Sequence, residues 1–233
     1  MLASVVVESG TMGGLSTIRT RVSLKRAFMK KTVIVTCLVF GLVSAVQADG
    51  DGAAGKAESW LCVGCHGADG NSMAPNFPKL AGQTQAELTK QLKDFKAGLR
   101  KNDMMSAVAA NVGDADIPNL TAYYSSQVRT ADKVNDEGLA ARGQKLFHDG
   151  DAANGVPACA TCHGATGAGN PALHAPALSG QHATYIATQL RAFKSGQRSN
   201  DPAGMMRNSV ARLPDDEMGA LSEYIGGMPV QRP

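Results

Sequence analysis

Two hexapeptides hold side chains whose types and spacing can do chemistry: Cys62-Val63-Gly64-Cys65-His66-Gly67 and Cys159-Ala160-Thr161-Cys162-His163-Gly164. Two thiols separated by two residues can each form a thioether with one vinyl group of a haem, and the adjacent histidine then falls under the iron as an axial ligand. The histidine makes the signal specific. A bare CxxC would serve zinc or a thioredoxin-like dithiol equally well, and a zinc site would need both dithiols on one ion, leaving His66 and His163 without a role. The motifs predict two covalently bound haem c groups, on Cys62 and Cys65 with His66, and on Cys159 and Cys162 with His163. A structural dithiol is the bland alternative.

An iron that passes electrons without binding small molecules needs a sixth ligand, and methionine sulfur favours Fe(II) and raises the potential relative to a second histidine. Ten methionines are present, of which only Met104-Met105 and Met205-Met206 recur in both halves of the chain. An isolated methionine is usually core packing, but recurrence beside a haem motif reverses that expectation. Sequence leaves a tie within each pair. His148, His174 and His182 occur only in the second half and read as surface or hydrogen-bonding residues.

The elements that position these groups also repeat. The motifs are offset by 97 residues; from Pro78/Pro176 the offset is 98 and holds for Gly82/Gly180, Gln83/Gln181, Leu92/Leu190, Phe95/Phe193 and Arg100/Arg198. It becomes 101 at Met104/Met205 and stays so through Tyr123/Tyr224. The repeat unit is thus a whole haem domain, with insertions in loops. In the first copy, 49–54 reads as frayed, 55–61 as a short helix delivering Cys62, and 67–83, rich in Gly, Pro and Asn, as a haem-wrapping loop. Pro75 or Pro78 is a candidate acceptor for the free ring nitrogen of His66. A helix is predicted over 85–97, with Leu88, Leu92, Phe95 and Leu99 as its apolar stripe, Lys90, Lys93 and Lys96 as a solvated face, and Gly98 as its left-handed cap. A connection over 100–111 carries Met104-Met105, and a last helix spans about 114–127. A polar linker over 128–135 leads to an amphipathic helix over 136–147.

The 233-residue chain is 43% apolar and 18% charged, a globular composition. Met29-Lys30-Lys31, an apolar run over 32–46 too short for a comfortable span, and Val46-Gln47-Ala48 read as an export signal cleaved after Ala48, with Cys37 inside it. The organisation expected is 1–48 as upstream extension and cleaved signal from Met29, 49–130 as the first haem domain and 131–233 as the second. The leader takes Arg19, Arg21, Lys25, Arg26, Lys30 and Lys31 against Glu8, so the mature chain holds 17 basic against 19 acidic residues, a net of −2. No nucleic-acid partner follows from that balance.

CVGCHGADGNS, PNFPKLAGQ, KQLKDFKAG, PACATCHG, LSGQHATY and QLRAFKSGQR together resemble the dihaem cytochrome c4 family, over essentially all of the mature chain. The resemblance implies an all-α fold of two tandem class I cytochrome c domains related by pseudo-twofold symmetry, with haem edges facing each other. In that family the axial methionine lies eight residues before the residue opening the last helix; Gly113 and Pro214 hold that position here, which selects Met105 and Met206. Pro214 and the longer loop 200–204 are departures that loosen the placement of Met206. The resemblance also implies periplasmic electron transfer from the bc1 complex or a similar donor to a terminal oxidase, for instance of the cbb3 type; the carrier is expected to be a monomer, soluble or loosely membrane-associated. The alternative is a haem subunit of a periplasmic dehydrogenase, or a dihaem peroxidase with one open haem. An enzyme would need an open sixth position with acid and base groups over it, and the sequence offers no such constellation.

Overall fold

A computed structural model describes residues 50–230; the expected signal segment lies outside them. Ten α-helices and three short 3-10 turns carry the described residues, without a strand and with two isolated bridges, Asp151 with Val156 and Asn170 with Ala175. The first copy contains α1 (Gly52–Glu58), α2 (Val63–His66), α3 (Gln85–Lys96), α4 (Asp103–Ala110) and α5 (Ile117–Ser125). The second contains α6 (Glu137–Asp149), α7 (Ala160–His163), α8 (Ala183–Lys194), α9 (Met205–Val210) and α10 (Asp215–Gly227).

In both copies the first helix packs on the last, and the third packs on the last and on the methionine-bearing helix. Two glycines allow the first of these crossings. A Cβ on Gly55 would lie 2.0 Å from the Asn119 carbonyl oxygen, and one on Gly143 2.0 Å from that of Ala220, so only hydrogen lets the backbones approach this closely. Behind the crossings sit Phe147, Leu213, Met218 and Leu221 in the second copy, and Ile117, Leu120, Tyr123 and Tyr124 in the first.

Several expectations change. Residues 49–54 are not all frayed: the Asp51 carboxylate accepts from the amides of Ala53 and Ala54, capping a helix that starts at Gly52. The connection over 100–111 is largely helix, because the Asn102 side chain caps α4 by accepting from the Met105 amide at 2.8 Å. The last helix of the first copy begins at Ile117, not 114; an earlier start would put Pro118 in the helix interior, where its missing N–H breaks the ladder. Gly113 therefore does not open a helix, whereas Pro214 directly precedes α10. Leu99 lies outside the apolar stripe at 64% exposure, since α3 stops at Lys96 and Gly98 turns the chain at φ +70°. The lysine face is not simply solvated: Lys90 binds Asp94 and the Asn200 carbonyl, and Lys96 binds the Val112 carbonyl and Asp114, while Lys93 has no partner among the described residues.

Candidate functional site

Each CxxCH motif forms one short helix whose turn is closed by the histidine amide donating to the first cysteine's carbonyl, at 2.9 Å for His66 and 3.0 Å for His163. Residues at i, i+3 and i+4 share a face of such a turn, so both thiols and the ring fall on one side of it. The following glycine has φ +79° and ψ 157° at Gly67 and φ +81° and ψ 151° at Gly164, a positive-φ extended conformation open essentially to glycine alone, which leads the chain away at once into the wrapping loop.

That loop returns to hold the histidine. His66 Nδ1–H donates to the Pro78 carbonyl at 2.8 Å, and His163 Nδ1–H donates to the Pro176 carbonyl at 2.9 Å. Of the two prolines considered for this role, Pro78 fills it. A carbonyl can only accept, so Nδ1 carries the proton and Nε2 keeps a lone pair for a metal. Burial pushes both histidines below their ordinary pKa, a loss only partly countered by these bonds, so the neutral ring is favoured. The four motif cysteines are unpaired; burial raises Cys62 and takes Cys159 up to about 11. Two thiols three residues apart on one helical turn, with a neutral imidazole presenting Nε2, form a donor set that fits haem c.

The paired methionines separate by exposure. Met104 and Met205 are exposed, at 55% and 43%, whereas Met105 and Met206 are half-buried. Met206 and Cys159 pack against the same apolar cluster. A cleft of about 520 Å³ is lined by Val156, Pro157 and Ala158, just before that cysteine, and by Asn208 and Ser209, just after that methionine. Met218 and Met228 are core residues and Met73 is fully exposed.

Sequence reasoning missed a polar seam joining the two copies. Lys79 Nζ, on a side chain 2% exposed, lies 2.6 Å from both Asp132 Oδ1 and the Thr130 carbonyl. His182 Nδ1–H donates to Asp132 Oδ2 at 2.9 Å, and its Nε2 lies 2.9 Å from the Ser72 hydroxyl and 3.0 Å from the Ser72 carbonyl, so it is a hydrogen-bonding residue and not a surface one. Arg129, in the linker, is buried and donates to the carbonyls of Ala81, Ala177 and Ser179, spanning both copies. On the other side, Arg100 donates to both Gln91 and Gln189, and so does Arg198. Each arginine also stacks on its own phenylalanine, Phe95 at 4.7 Å and Phe193 at 4.4 Å. This reciprocity is what an approximate twofold axis between the copies produces.

A family model for cytochrome c matches twice, over residues 53–127 and 140–229. The cytochrome c4 of Pseudomonas aeruginosa is 43% identical over 201 residues, covering 86% of this chain and all of its own. The chain belongs to the dihaem cytochrome c4 family. A crystal structure of reduced recombinant cytochrome c4 from Pseudomonas stutzeri superposes with a TM-score of 0.74 at 43% identity, covering 77% of this chain and all of that one. A thiosulfate dehydrogenase electron acceptor from Thiomonas intermedia is 37% identical over 182 residues, covering 76% of this chain and 83% of its own. As a cytochrome c4, the chain is an all-α pair of tandem class I cytochrome c domains with covalently bound haem c, and its two CxxCH-type sites stand at Cys62/Cys65 and Cys159/Cys162. It is an electron carrier acting with redox partners, not an enzyme. No helix among the described residues is long and apolar enough to cross a membrane.

Proposed function

We propose that this cytochrome is a periplasmic carrier moving electrons between respiratory complexes, from the bc1 complex or a similar donor to a terminal oxidase such as a cbb3-type enzyme. Residues 49–130 enclose one haem, attached through Cys62 and Cys65 and ligated by His66 and Met105. Residues 131–233 enclose the other, attached through Cys159 and Cys162 and ligated by His163 and Met206. The observation that carries this reading is the matched pattern of the two sites: each histidine is locked by a proline carbonyl, and in each methionine pair the second member turns inward. Export at Ala48 and a monomeric state, soluble or loosely held at the membrane, complete the proposal.

Bound haem c supplies an iron that changes valence by one electron. The protein's part is to hold two such groups rigidly. The thiols of Cys62, Cys65, Cys159 and Cys162 would fix their position, the Pro78 and Pro176 carbonyls orient the imidazoles and raise their basicity, and Met105 and Met206 would supply sulfur that favours the reduced ion. Two sites with the same furniture make a two-electron carrier.

The test is an optical redox titration of the purified holoprotein with carbon monoxide added to the reduced form. The proposal expects both haems to be low-spin, to titrate at positive potential and to bind little carbon monoxide. Avid binding at one haem would replace it with the open-haem reading. A second partner assignment, service as acceptor to a thiosulfate dehydrogenase, is favoured by the relative of that description. Stopped-flow reduction by thiosulfate dehydrogenase and by the bc1 complex separates the two: the faster donor at equal concentration identifies the route.

A further inference from the structure

Gln83 and Gln181 occupy equivalent positions, each immediately ahead of the N-cap of its domain's third helix, α3 or α8. Both are polar yet buried, at 8% and 4% exposure. Neither side chain serves its own domain's wrapping loop. Gln181 Oε1 accepts from the Lys79 amide at 2.8 Å and its Nε2 donates to the Lys79 carbonyl at 2.9 Å. Gln83 mirrors this across the seam: its Oε1 accepts from the Ala177 amide at 2.9 Å and its Nε2 donates to the Ala177 carbonyl at 2.9 Å.

Lys79 follows Pro78 and Ala177 follows Pro176. The N–H that each glutamine receives therefore belongs to the same peptide group whose carbonyl accepts from the axial-histidine candidate of the opposite domain. A peptide hydrogen-bonded at both ends is polarised cooperatively, because drawing on its N–H moves electron density onto its oxygen. The oxygen becomes a stronger acceptor, the histidine's Nδ1–H bond tightens, and Nε2 becomes a better donor to a metal. The donated Nε2 bond prevents the carboxamide from turning over, so its oxygen stays on the N–H. The oxygen also accepts from its own domain, from the His182 amide at 3.0 Å for Gln181 and from the Thr84 amide at 2.9 Å for Gln83. Each clamp is thus fixed to the start of a helix in one domain while it acts on a histidine of the other.

We propose that Gln181 and Gln83 are positioning residues acting in trans: Gln181 lowers the potential of the haem on His66, and Gln83 lowers that of the haem on His163. This rests on the histidine ligation proposed above. Domain docking and redox tuning then become one feature, since separating the domains removes both clamps and raises both potentials.

The experiment is a pair of redox titrations on the holoproteins of Gln181→Met and Gln83→Met, resolved haem by haem through the shifted haem methyl resonances. Methionine preserves bulk and removes both hydrogen bonds. In the half-reduced protein, Gln181→Met is expected to move the electron distribution about two- to fivefold toward the His66 haem, and Gln83→Met by a similar factor toward the His163 haem, on the scale of cooperative hydrogen bonding. The methionine-to-iron band should persist at both haems. Equivalent substitutions pushing the electron in opposite directions is a result that general loosening would not give. Both shifts toward the same haem, or none with the band intact, would overturn the proposal; loss of the band in the unsubstituted protein would instead indict the ligand reading. Hydrogen exchange on the unsubstituted holoprotein tests the clamp without any variant. The Lys79 and Ala177 amides should be as protected as the interiors of α3 and α8, and exchange at exposed-loop rates would end the proposal.

Discussion

Replacing Lys79 by methionine removes an ammonium while keeping most of the side chain's bulk. The ammonium sits 2.6 Å from Asp132 Oδ1 and from the Thr130 carbonyl, on a side chain 2% exposed, while Asp132 remains 31% exposed. At an effective dielectric of about 20, the attraction at that separation is about 6 kcal/mol. Desolvating the ammonium consumes several of those, so the pair is a modest net stabiliser. The variant also leaves the Thr130 carbonyl without its partner, a loss of about 1–3 kcal/mol, while Asp132 keeps His182 and water. The net cost is then about 2–3 kcal/mol. Urea unfolding of the holoprotein, followed by circular dichroism, should show the midpoint lowered by about 1–3 M at a slope of about 1–2 kcal/mol/M. In an Asp132→Asn background the same change should cost less than half as much, because the two residues share one interaction. A loss under about 0.5 kcal/mol, or full additivity in the double variant, would refute the reasoning that this buried pair ties the two copies together.

Other consequences can be checked alongside. Burial would raise the Asp132 carboxyl, but hydrogen bonds from Lys79 and His182, helped by the charge of Lys79, hold it below the usual 3.8. Its stabilising contribution is therefore complete above that value and lost as pH falls through the lower folded-state value. Asp132→Asn should flatten the acid limb of a stability profile below pH about 4, and an unchanged limb would contradict this. Gly164→Ala places a Cβ at φ +81° and ψ 151°, a region open essentially to glycine alone, which should cost about 1–3 kcal/mol without altering the spectrum of correctly loaded protein. Thermal unfolding checks this, and a neutral effect would mean that the turn relaxes.

The chemistry was the most legible part of the sequence, because CxxCH is a local motif and its recurrence needs no folding model. Helix α3 was nearly as plain: Thr84 caps it by accepting from the Glu87 amide, and Leu88 and Phe95 keep its period. Helix α4 was not, since Asp103-Met104-Met105-Ser106-Ala107 has no clear apolar stripe and its start depends on one asparagine cap. The seam was the least visible. Lys79, Gln83, Arg129, Gln181 and His182 are polar types that hydrophobic patterning assigns to the surface, yet all are buried because the partner domain satisfies them. The equivalence of Gln83 and Gln181 was the available signal, whereas Lys79 aligns with Ala177 and carries none.

The central claim, one histidine and one named methionine at each haem, is tested most directly by four single substitutions: Met104, Met105, Met205 and Met206, each to alanine. The measurement is the weak methionine-to-iron charge-transfer band at the red end of the ferric spectrum. Met105→Ala and Met206→Ala should each remove half of its intensity and open one haem to carbon monoxide, while Met104→Ala and Met205→Ala leave it intact. Loss of the band from Met104→Ala or Met205→Ala, or its survival in Met105→Ala or Met206→Ala, would contradict the account.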